Sequence, residues 1–216
     1  VEENLKASER KHFEVKSIEL NNKIKKHIKA DRASWIRNLV YLNGAPFDFG
    51  GRDYLIPIYN GKFRRLLLKF ARQNEKSSFI ANSIISSSAI IPYHKSIYVS
   101  PSYLQTRQFS ADKLSPWMWD SPVISKYLLS SKVSNQVFEK GMTNGSMIYL
   151  RSAFLNAERI RGLSGHLLAI DELQSMVSAN IPVIAETISH APDPSAIFSG
   201  TPLTNDNVLE QYWLDS

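Results

Sequence analysis

Residues 65–78 place the strongest constraint on how this chain folds, and they read RLLLKFARQNEKSS. The segment opens with an apolar run of strand length and continues into a polar loop. After the loop, Phe79, Ile80, Ile84 and Ile85 recur at helical spacing. The sequence therefore predicts a strand, a loop and a helix in direct succession.

The loop in this segment ends in Lys76 and Ser77, and this ending predicts phosphate binding. A loop between a strand and a helix brings backbone N–H groups and the positive end of the helix dipole to one point. Lys76 would contact the β- and γ-phosphates of a nucleotide, and the Ser77 hydroxyl would bind Mg²⁺, as in a P-loop. The match is incomplete, because Phe70 and Glu75 occupy positions that are usually glycine. An ordinary strand-to-helix turn is the alternative here.

A second candidate site follows the apolar residues 167–170, which predict a buried strand. Asp171 and Glu172 come directly after it. Adjacent carboxylates at a strand end are costly unless a positive group such as Mg²⁺ lies close to them. Asp171 would hold this metal, directly or through water, and Glu172 would act as a general base on the attacking water. Strands that end in Asp-Glu also occur without any function.

A third strand is predicted at 195–202, and the small residues Ser199, Gly200 and Thr201 lie towards its end. Hydroxyl groups at such a place can sense the terminal phosphate and couple hydrolysis to movement. A strand followed by a simple turn is the alternative. Strands alternate with helical patterns along the chain, which predicts an α/β fold with a mostly parallel sheet flanked by helices. Since ligands bind at the carboxyl ends of such strands, we expect the three sites to meet.

Several further elements are predicted with less consequence for function. Residues 1–44 form a helical N-terminal prefix, and residues 45–216 form the core domain. The other predicted elements are a strand at 96–100, helices at 103–114, 123–129, 181–191 and 205–214, a bulky buried loop at 116–122, and a hairpin over 133–151 with Asn-Gly at its turn. In the aromatic segment 46–54, Phe49, Arg52 and Tyr54 are candidates for binding adenine, with core-capping aromatics as the alternative.

Charge is distributed unevenly along the 216 residues. All 26 Lys and Arg lie at or before Arg161, so the chain up to that residue carries +13 and the remainder −7, for a net charge of +6. A basic majority indicates a polyanionic partner, whereas the acidic remainder could hold a divalent cation or face a basic neighbouring subunit. A mixed, solvated surface is the alternative.

Composition also excludes some classes of protein. The chain has no Cys, which excludes disulfides and thiolate metal sites. No apolar run approaches the roughly 20 residues that cross a bilayer, and no signal segment opens the chain, so we expect no membrane partner. Because the chain starts at Val1 and ends just after Trp213, we expect a fragment of a longer protein.

The segments ARQNEKS (71–77), LLAIDE (167–172) and FSGTP (198–202) resemble the phosphate loop, acidic strand and coupling motif of large terminase subunits. These are the ATP-driven motors that pack DNA into tailed-phage and herpesvirus capsids. The Arg-Gln pair at 72–73, followed by Lys-Ser, is the most specific part of the likeness. YVSPS at 98–102 is also similar, and the likeness covers about residues 45–214.

The resemblance implies a P-loop NTPase of the additional-strand, catalytic-glutamate type, which uses ATP and Mg²⁺ to move double-stranded DNA. The implied nucleotide-binding residues are Ala71, Arg72, Gln73, Asn74, Glu75, Lys76, Ser77 and Ser78, with Phe49, Arg52 and Tyr54 near the base. Glu172, Arg72 and Lys76 would be catalytic, with Arg72 stabilising charge on the transferring phosphoryl group. Ser77 and Asp171 would hold the metal, and Ser199, Gly200 and Thr201 would couple hydrolysis to movement.

By the same resemblance, the expected partners are double-stranded DNA, the portal of a procapsid, a small terminase subunit and further copies of the chain in a ring. The expected location is the cytoplasm of an infected host cell. Family members usually carry a second, nuclease domain. No cluster of acids follows Trp213, so no nuclease activity is expected of this chain.

Two other functions stay open from the residues alone. A helicase-like DNA translocase shares the same core, and a degenerate module would bind DNA or assemble rings without hydrolysis. Glu75 favours the degenerate module, because a carboxylate close to the phosphates would repel them. Our hypothesis is that Glu75 points away from the phosphates towards a cation such as Arg72 or Lys69.

Overall fold

The computed structural model describes residues 31–129, 136–153, 157, 160–203 and 207–216. The first 30 residues of the predicted prefix lie outside this part of the chain. In chain order, the elements are α1 (Arg32–Leu39), β1 (Tyr41–Leu42), β2 (Ala45–Pro46), α2 (Leu55–Asn60), β3 (Arg65–Lys69), α3 (Lys76–Ile90), β4 (Lys95–Ser100), α4 (Tyr103–Gln108), a π-helix (Phe109–Leu114), α5 (Ser115–Asp120), α6 (Pro122–Leu128), β5 (Glu139–Gly141), β6 (Met147–Ser152), β7 (Leu167–Ile170), a 3-10 helix (Leu173–Ser175), α7 (Asn180–Glu186), β8 (Ser195–Gly200) and α8 (Val208–Leu214).

Six of the strands form one sheet in the order β3-β8-β7-β4-β6-β5. All neighbouring strands are parallel except β5 and β6, which are antiparallel. One strand, β8, lies between β3, which precedes the phosphate loop, and β7, which precedes the two acids. The predicted α/β fold with a mostly parallel sheet is therefore confirmed.

Both faces of the sheet are covered by helices, so its central strands are buried on both sides. In β4, Tyr98 packs into one hydrophobic cluster, whereas Ile97 and Val99 pack into the cluster on the opposite face. In β7, Leu168 and Ile170 belong to the second of these clusters. Successive side chains of a strand point to opposite faces, which is why a continuous apolar run suits this position.

Helix α3 anchors the phosphate loop in the centre of the molecule. All but two of its 15 residues are buried, including the serines Ser83, Ser86, Ser87 and Ser88. Small side chains let the helix approach the sheet closely, and Ser88 Oγ lies 3.3 Å from Ser96 Oγ of β4. A helix enclosed on this scale holds its first turn in a fixed position.

Two predicted elements differ from the structure. Residues 116–122 were expected to form a loop, but Ser115–Asp120 form helix α5. Pro116 is the second residue of α5, and the π-helix before it brings the backbone to this point already in a helical conformation. The expectation that this segment is buried holds for Trp117, Met118 and Ser121, whereas Trp119 is 37% exposed. The predicted helix at 103–114 is α4 followed by the π-helix.

Residues 133–135 of the predicted hairpin lie outside the described part of the chain, and the rest forms a hairpin in which β5 and β6 are antiparallel and Gly145 lies in the turn at φ +82°. At the other end of the described chain, α1 contributes Trp35 and Ile36 to the same hydrophobic cluster as α3. The hairpin of β1 and β2 then spans the expected boundary at 44–45. That boundary stays a prediction. In the described ranges, no helix has the length and apolar character to cross a membrane.

Candidate nucleotide-binding site

A cleft of about 800 Å³ lies at the carboxyl ends of β3, β7 and β8. It is lined by the loop residues 72–78 together with Glu172 and Thr201. Residues from three distant parts of the chain therefore share one cavity, at the edge of the sheet where parallel strands place ligands.

The phosphate loop has the backbone shape of a glycine-containing loop although it contains no glycine. Gln73 and Glu75 have φ of +62° and +60°, in the left-handed region that favours glycine. Glu75 is also the N-cap of α3 and offers no side-chain cap bond. A left-handed conformation costs a residue with a side chain about 1–2 kcal/mol. Because α3 is so fully packed, the surrounding structure can hold this strain.

Lys76 extends into the loop that precedes it. It is 7% exposed, and its Nζ donates to the carbonyl oxygens of Phe70 at 3.2 Å and Ala71 at 2.8 Å. Burial lowers the pKa of Lys76, and the carboxylates of Glu172 and Asp171 act in the opposite direction. The ammonium group is therefore enclosed, hydrogen-bonded and within the field of the two acids.

The carboxylate of Asp171 is the point at which the three candidate stretches meet. Its Oδ2 accepts hydrogen bonds from Ser77 Oγ at 3.2 Å and from the Tyr98 hydroxyl at 3.3 Å. Its Oδ1 accepts from the Glu172 N–H at 3.0 Å and from Ser199 Oγ. Burial, followed by the charge of Asp171, raises the pKa of Tyr98 well above its usual value, so the phenol remains a donor. Asp171 is only 4% exposed, yet it is fully hydrogen-bonded.

These oxygens are suitable ligands for Mg²⁺. The hydroxyl of Ser77, which lines the cleft, and the carboxylate of Asp171, which lines a smaller cavity that also includes Ser77, are hard oxygen donors. Within the described ranges no group of three or more His, Asp or Glu residues could hold a metal ion by itself. Mg²⁺ usually takes one or two protein ligands and completes its shell with water and substrate phosphates. The residues present fit this mode of binding.

Glu172 lies in the cleft immediately after β7, with its backbone at φ +55°. Gln174, in the 3-10 helix that follows, donates from Nε2 to Glu172 Oε2. The Oε1 atom of Gln174 accepts a hydrogen bond from the Thr201 N–H at 3.0 Å. The expected base and the expected coupling segment are therefore connected through one side chain.

The three candidates for adenine binding are placed differently. Phe49 is 2% exposed, its ring packs edge-on against Phe47, and the Arg37 guanidinium lies over it at 5.1 Å. Its ring is therefore unavailable for base stacking and belongs to the core. Arg52 lines the cleft. Tyr54, two residues further along the chain, is 47% exposed.

The cation that pairs with Glu75 is neither of the two expected ones. Arg52 Nη1 lies 3.4 Å from Glu75 Oε1, whereas Lys69 Nζ is paired with Glu210 at 2.6 Å. Arg72 lines the cleft. No local pattern predicts the Arg52–Glu75 pair, because the two residues are far apart along the chain and meet only after folding.

Sequence reasoning also missed Lys113 and Gln174 as cleft residues. Lys113 lies on the π-helix, and its Nζ donates to Ser78 Oγ at 3.2 Å in the first turn of α3. A π-helix is rare and often occurs at functional sites, but no local pattern predicts one. For Gln174, the available signal was its position just after the Asp-Glu pair.

Comparison with protein-family models gives no match, and comparison with curated proteins gives none either. Solved structures do match. The large terminase of bacteriophage HK97 superposes with a TM-score of 0.68 at 18% identity, over 83% of this chain and 39% of that one. The chain has the large-terminase ATPase fold.

Two further structures agree with this fold. The ATPase domain of the Thermus phage P74-26 large terminase has a TM-score of 0.58 at 16% identity, over 73% of this chain and 66% of that one. A large terminase from a thermophilic bacteriophage, in complex with ADP, has a TM-score of 0.54 at 11% identity, over 70% of this chain and 37% of that one. The chain thus spans 39% and 37% of the two large terminases and 66% of the isolated ATPase domain.

Proposed function

We propose that this chain is the ATPase part of a viral genome-packaging motor, which hydrolyses ATP to move double-stranded DNA into a procapsid. The observation that carries the proposal is the convergence on Asp171, whose carboxylate joins Ser77 of the phosphate loop to Ser199 of β8. The fold supports it, and so do the solved terminases with ADP or ATP-γ-S bound.

Nucleotide binding would rely on the first turn of α3. Its free N–H groups and its dipole attract phosphate, and Lys76 adds a full positive charge inside the loop. Ser77 and Asp171 would hold Mg²⁺ beside the phosphates. When bound, Mg²⁺ supplies positive charge that offsets the charge on the β- and γ-phosphate oxygens. Arg52 and Tyr54 would contact the base from the segment ahead of β3.

Hydrolysis would rely on Glu172 and Arg72, which both line the cleft. Glu172 would accept a proton from the attacking water and orient it for in-line attack. Arg72 would stabilise the charge that develops on the phosphoryl oxygens. Ser199 and Thr201 would respond to the state of the site, because Ser199 already contacts Asp171 and Thr201 is connected to Glu172 through Gln174.

DNA would be held mainly through its backbone by basic residues in the first 161 positions, which carry a net +13. Such contacts carry no base readout, so we expect binding to weaken steeply with salt. A portal of a procapsid, a small terminase subunit and further copies of this chain in a ring are the proposed partners, in the cytoplasm of an infected cell.

Phosphate release by the wild type and by Glu172→Gln, with and without double-stranded DNA, tests this proposal. We expect the substitution to lower the turnover rate by about 10²–10⁴-fold, because it removes the general base. Nucleotide affinity should change little, since the phosphate loop is intact. Equal rates for the two proteins would favour a module that binds without hydrolysing.

A second measurement separates a packaging motor from a helicase-like translocase. Translocation of DNA is measured with and without procapsids that carry a portal. A packaging motor should move DNA only into the procapsid. Translocation that is indifferent to the procapsid would support the helicase-like alternative.

A further inference from the structure

We propose that Gln174 is a positioning residue, which ties the carboxylate of Glu172 to the backbone of the coupling segment, defined here as residues 199–201. The proposal rests on the proposed ATPase function and extends it to a residue with no assigned role. In this arrangement the orientation of the Glu172 carboxylate depends on the position of Thr201.

The Gln174 amide makes two hydrogen bonds that need opposite chemistry at their far ends. A carboxylate can only accept hydrogen bonds, and a backbone N–H can only donate them. Gln174 lies between one of each, with Nε2 donating to Glu172 Oε2 and Oε1 accepting from the Thr201 N–H at 3.0 Å. These partners fix the orientation of the amide, because the flipped amide would lose both bonds. Glutamine suits this position, because its uncharged amide donates from one atom and accepts at another.

The side chain of Gln174, which bridges Glu172 and Thr201, is closely packed on both sides. Gln174 lies in a one-turn 3-10 helix whose first residue, Leu173, is fully buried, so its backbone is fixed. On the other side, a Cβ added to Gly200 would lie 2.6 Å from Gln174 Oε1 and 2.8 Å from a methyl group of Leu209. Only a residue without a side chain at position 200 leaves room for the amide to reach the Thr201 N–H.

Glu172 has a fixed backbone and a side chain that can turn. Its backbone is in the left-handed region at φ +55°, and its N–H donates to Asp171 Oδ1. The backbone is therefore fixed, whereas the carboxylate is directed by its contact with Gln174. A shift of residues 199–201 would move the acceptor end of the amide and would thereby turn the base. This is a direct mechanical route between the site of hydrolysis and the coupling segment.

The decisive variant is Gln174→Met, which keeps the size of the side chain and removes both hydrogen bonds. We expect kcat for ATP to fall by about 10–100-fold, because a misplaced base loses its geometry. The nucleotide Kd should stay within about threefold, because the phosphate loop is untouched. Amide hydrogen exchange at Thr201 should accelerate by about tenfold, because its acceptor is lost. The matched control is Gln211→Met, the same change on an exposed residue of α8 outside the cleft, and it should alter none of the three.

Two further variants separate the ends of the bridge. Gln174→Glu keeps an acceptor for the Thr201 N–H but has no donor for Glu172, so kcat should fall while the protection of Thr201 persists. Gly200→Ala displaces the amide from the opposite side and should lower kcat as well. In a double-mutant cycle with Gln174→Met, the combined loss should not exceed the larger single loss, because both changes break one link.

The results that would overturn the proposal are specific. Unchanged kcat in Gln174→Met, unchanged exchange at Thr201, or additive losses in the cycle would each refute the link. If the wild type itself released no phosphate, the proposed ATPase function would fail, and the exchange of Thr201 in Gln174→Met and Gln174→Glu would still decide whether the bridge exists. Thermal unfolding of each variant serves as a check that the fold is retained.

Discussion

Replacing Asp171 with Ala tests the claim that one buried carboxylate holds the three candidate stretches together. The substitution deprives four donors of their acceptor. Two of the donors, the hydroxyls of Tyr98 and Ser199, are almost fully buried at 2% and 0% exposure, so water cannot replace the carboxylate. The other two, Ser77 Oγ and the Glu172 N–H, lie at the cleft and can turn to solvent.

The size of the effect follows from the two buried donors. Each buried donor left without a partner costs about 1–3 kcal/mol, so Asp171→Ala should lower the free energy of unfolding by about 2–6 kcal/mol. This is a large part of the total stability of a typical domain, about 5–15 kcal/mol. Urea unfolding followed by circular dichroism measures the loss. Magnesium-dependent nucleotide binding, measured by calorimetry, should be abolished.

A triple variant tests whether the stability lost in Asp171→Ala comes from the two buried donors. Adding Tyr98→Phe and Ser199→Ala to Asp171→Ala deletes the two orphaned donors, and removing both partners of a buried hydrogen bond can be nearly neutral. The triple variant should therefore regain at least about 2 kcal/mol over Asp171→Ala. The reasoning is refuted if Asp171→Ala is as stable as the wild type, since the desolvation cost of the carboxylate would then equal or exceed the value of its hydrogen bonds. Failure of the triple variant to regain stability would refute it too.

Three more predictions follow from the contacts of single residues. Glu75→Gly and Glu75→Gln both remove the charge that pairs with Arg52, but only Gly relieves the left-handed backbone at φ +60°. If the Glu75 carboxylate points away from the phosphates, each variant should gain less than about threefold in ATP affinity. A gain above about tenfold would mean that the Glu75 carboxylate repels ATP. Lys113→Met should weaken ATP binding by about 5–50-fold, because it removes a cation from the cleft beside Ser78, with exposed Lys95→Met as the control. Burial, and then the charge of His166, lowers the pKa of His94 to about 4. Since an unfolded His titrates near 6.5, stability is complete above about pH 6.5 and falls by up to about 3 kcal/mol as the pH drops to 4. His94→Phe should flatten urea midpoints over that range, and an unchanged pH dependence would contradict the assignment.

The elements that carry function were predictable because their signals are local. An apolar run at 66–68, a polar loop and a helical repeat predict a strand, a turn and a helix without reference to the rest of the chain. The acids after β7 and the small residues at the end of β8 were also visible, and parallel strands bring such ends to one edge. The pattern at 116–122 predicts a loop rather than helix α5, because a proline at each end of a segment is a turn signal unless the flanking residues already continue a helix.

Residue types and local order were thus determined by the sequence itself: which segments are strands, where the phosphate loop lies, and that carboxylates and hydroxyls follow two later strands. The tertiary structure decided the partners, because each partner comes from a distant segment whose approach depends on packing. Arg52 meets Glu75, Lys113 meets Ser78, and Gln174 joins Glu172 to Thr201. The tertiary structure also placed Phe49 in the core rather than beside the adenine of a nucleotide, since the burial of Phe49 depends on what α1 and α2 cover. Hydrogen bonds act over about 3 Å, so residues that are far apart in sequence can share one only after the fold has brought them together.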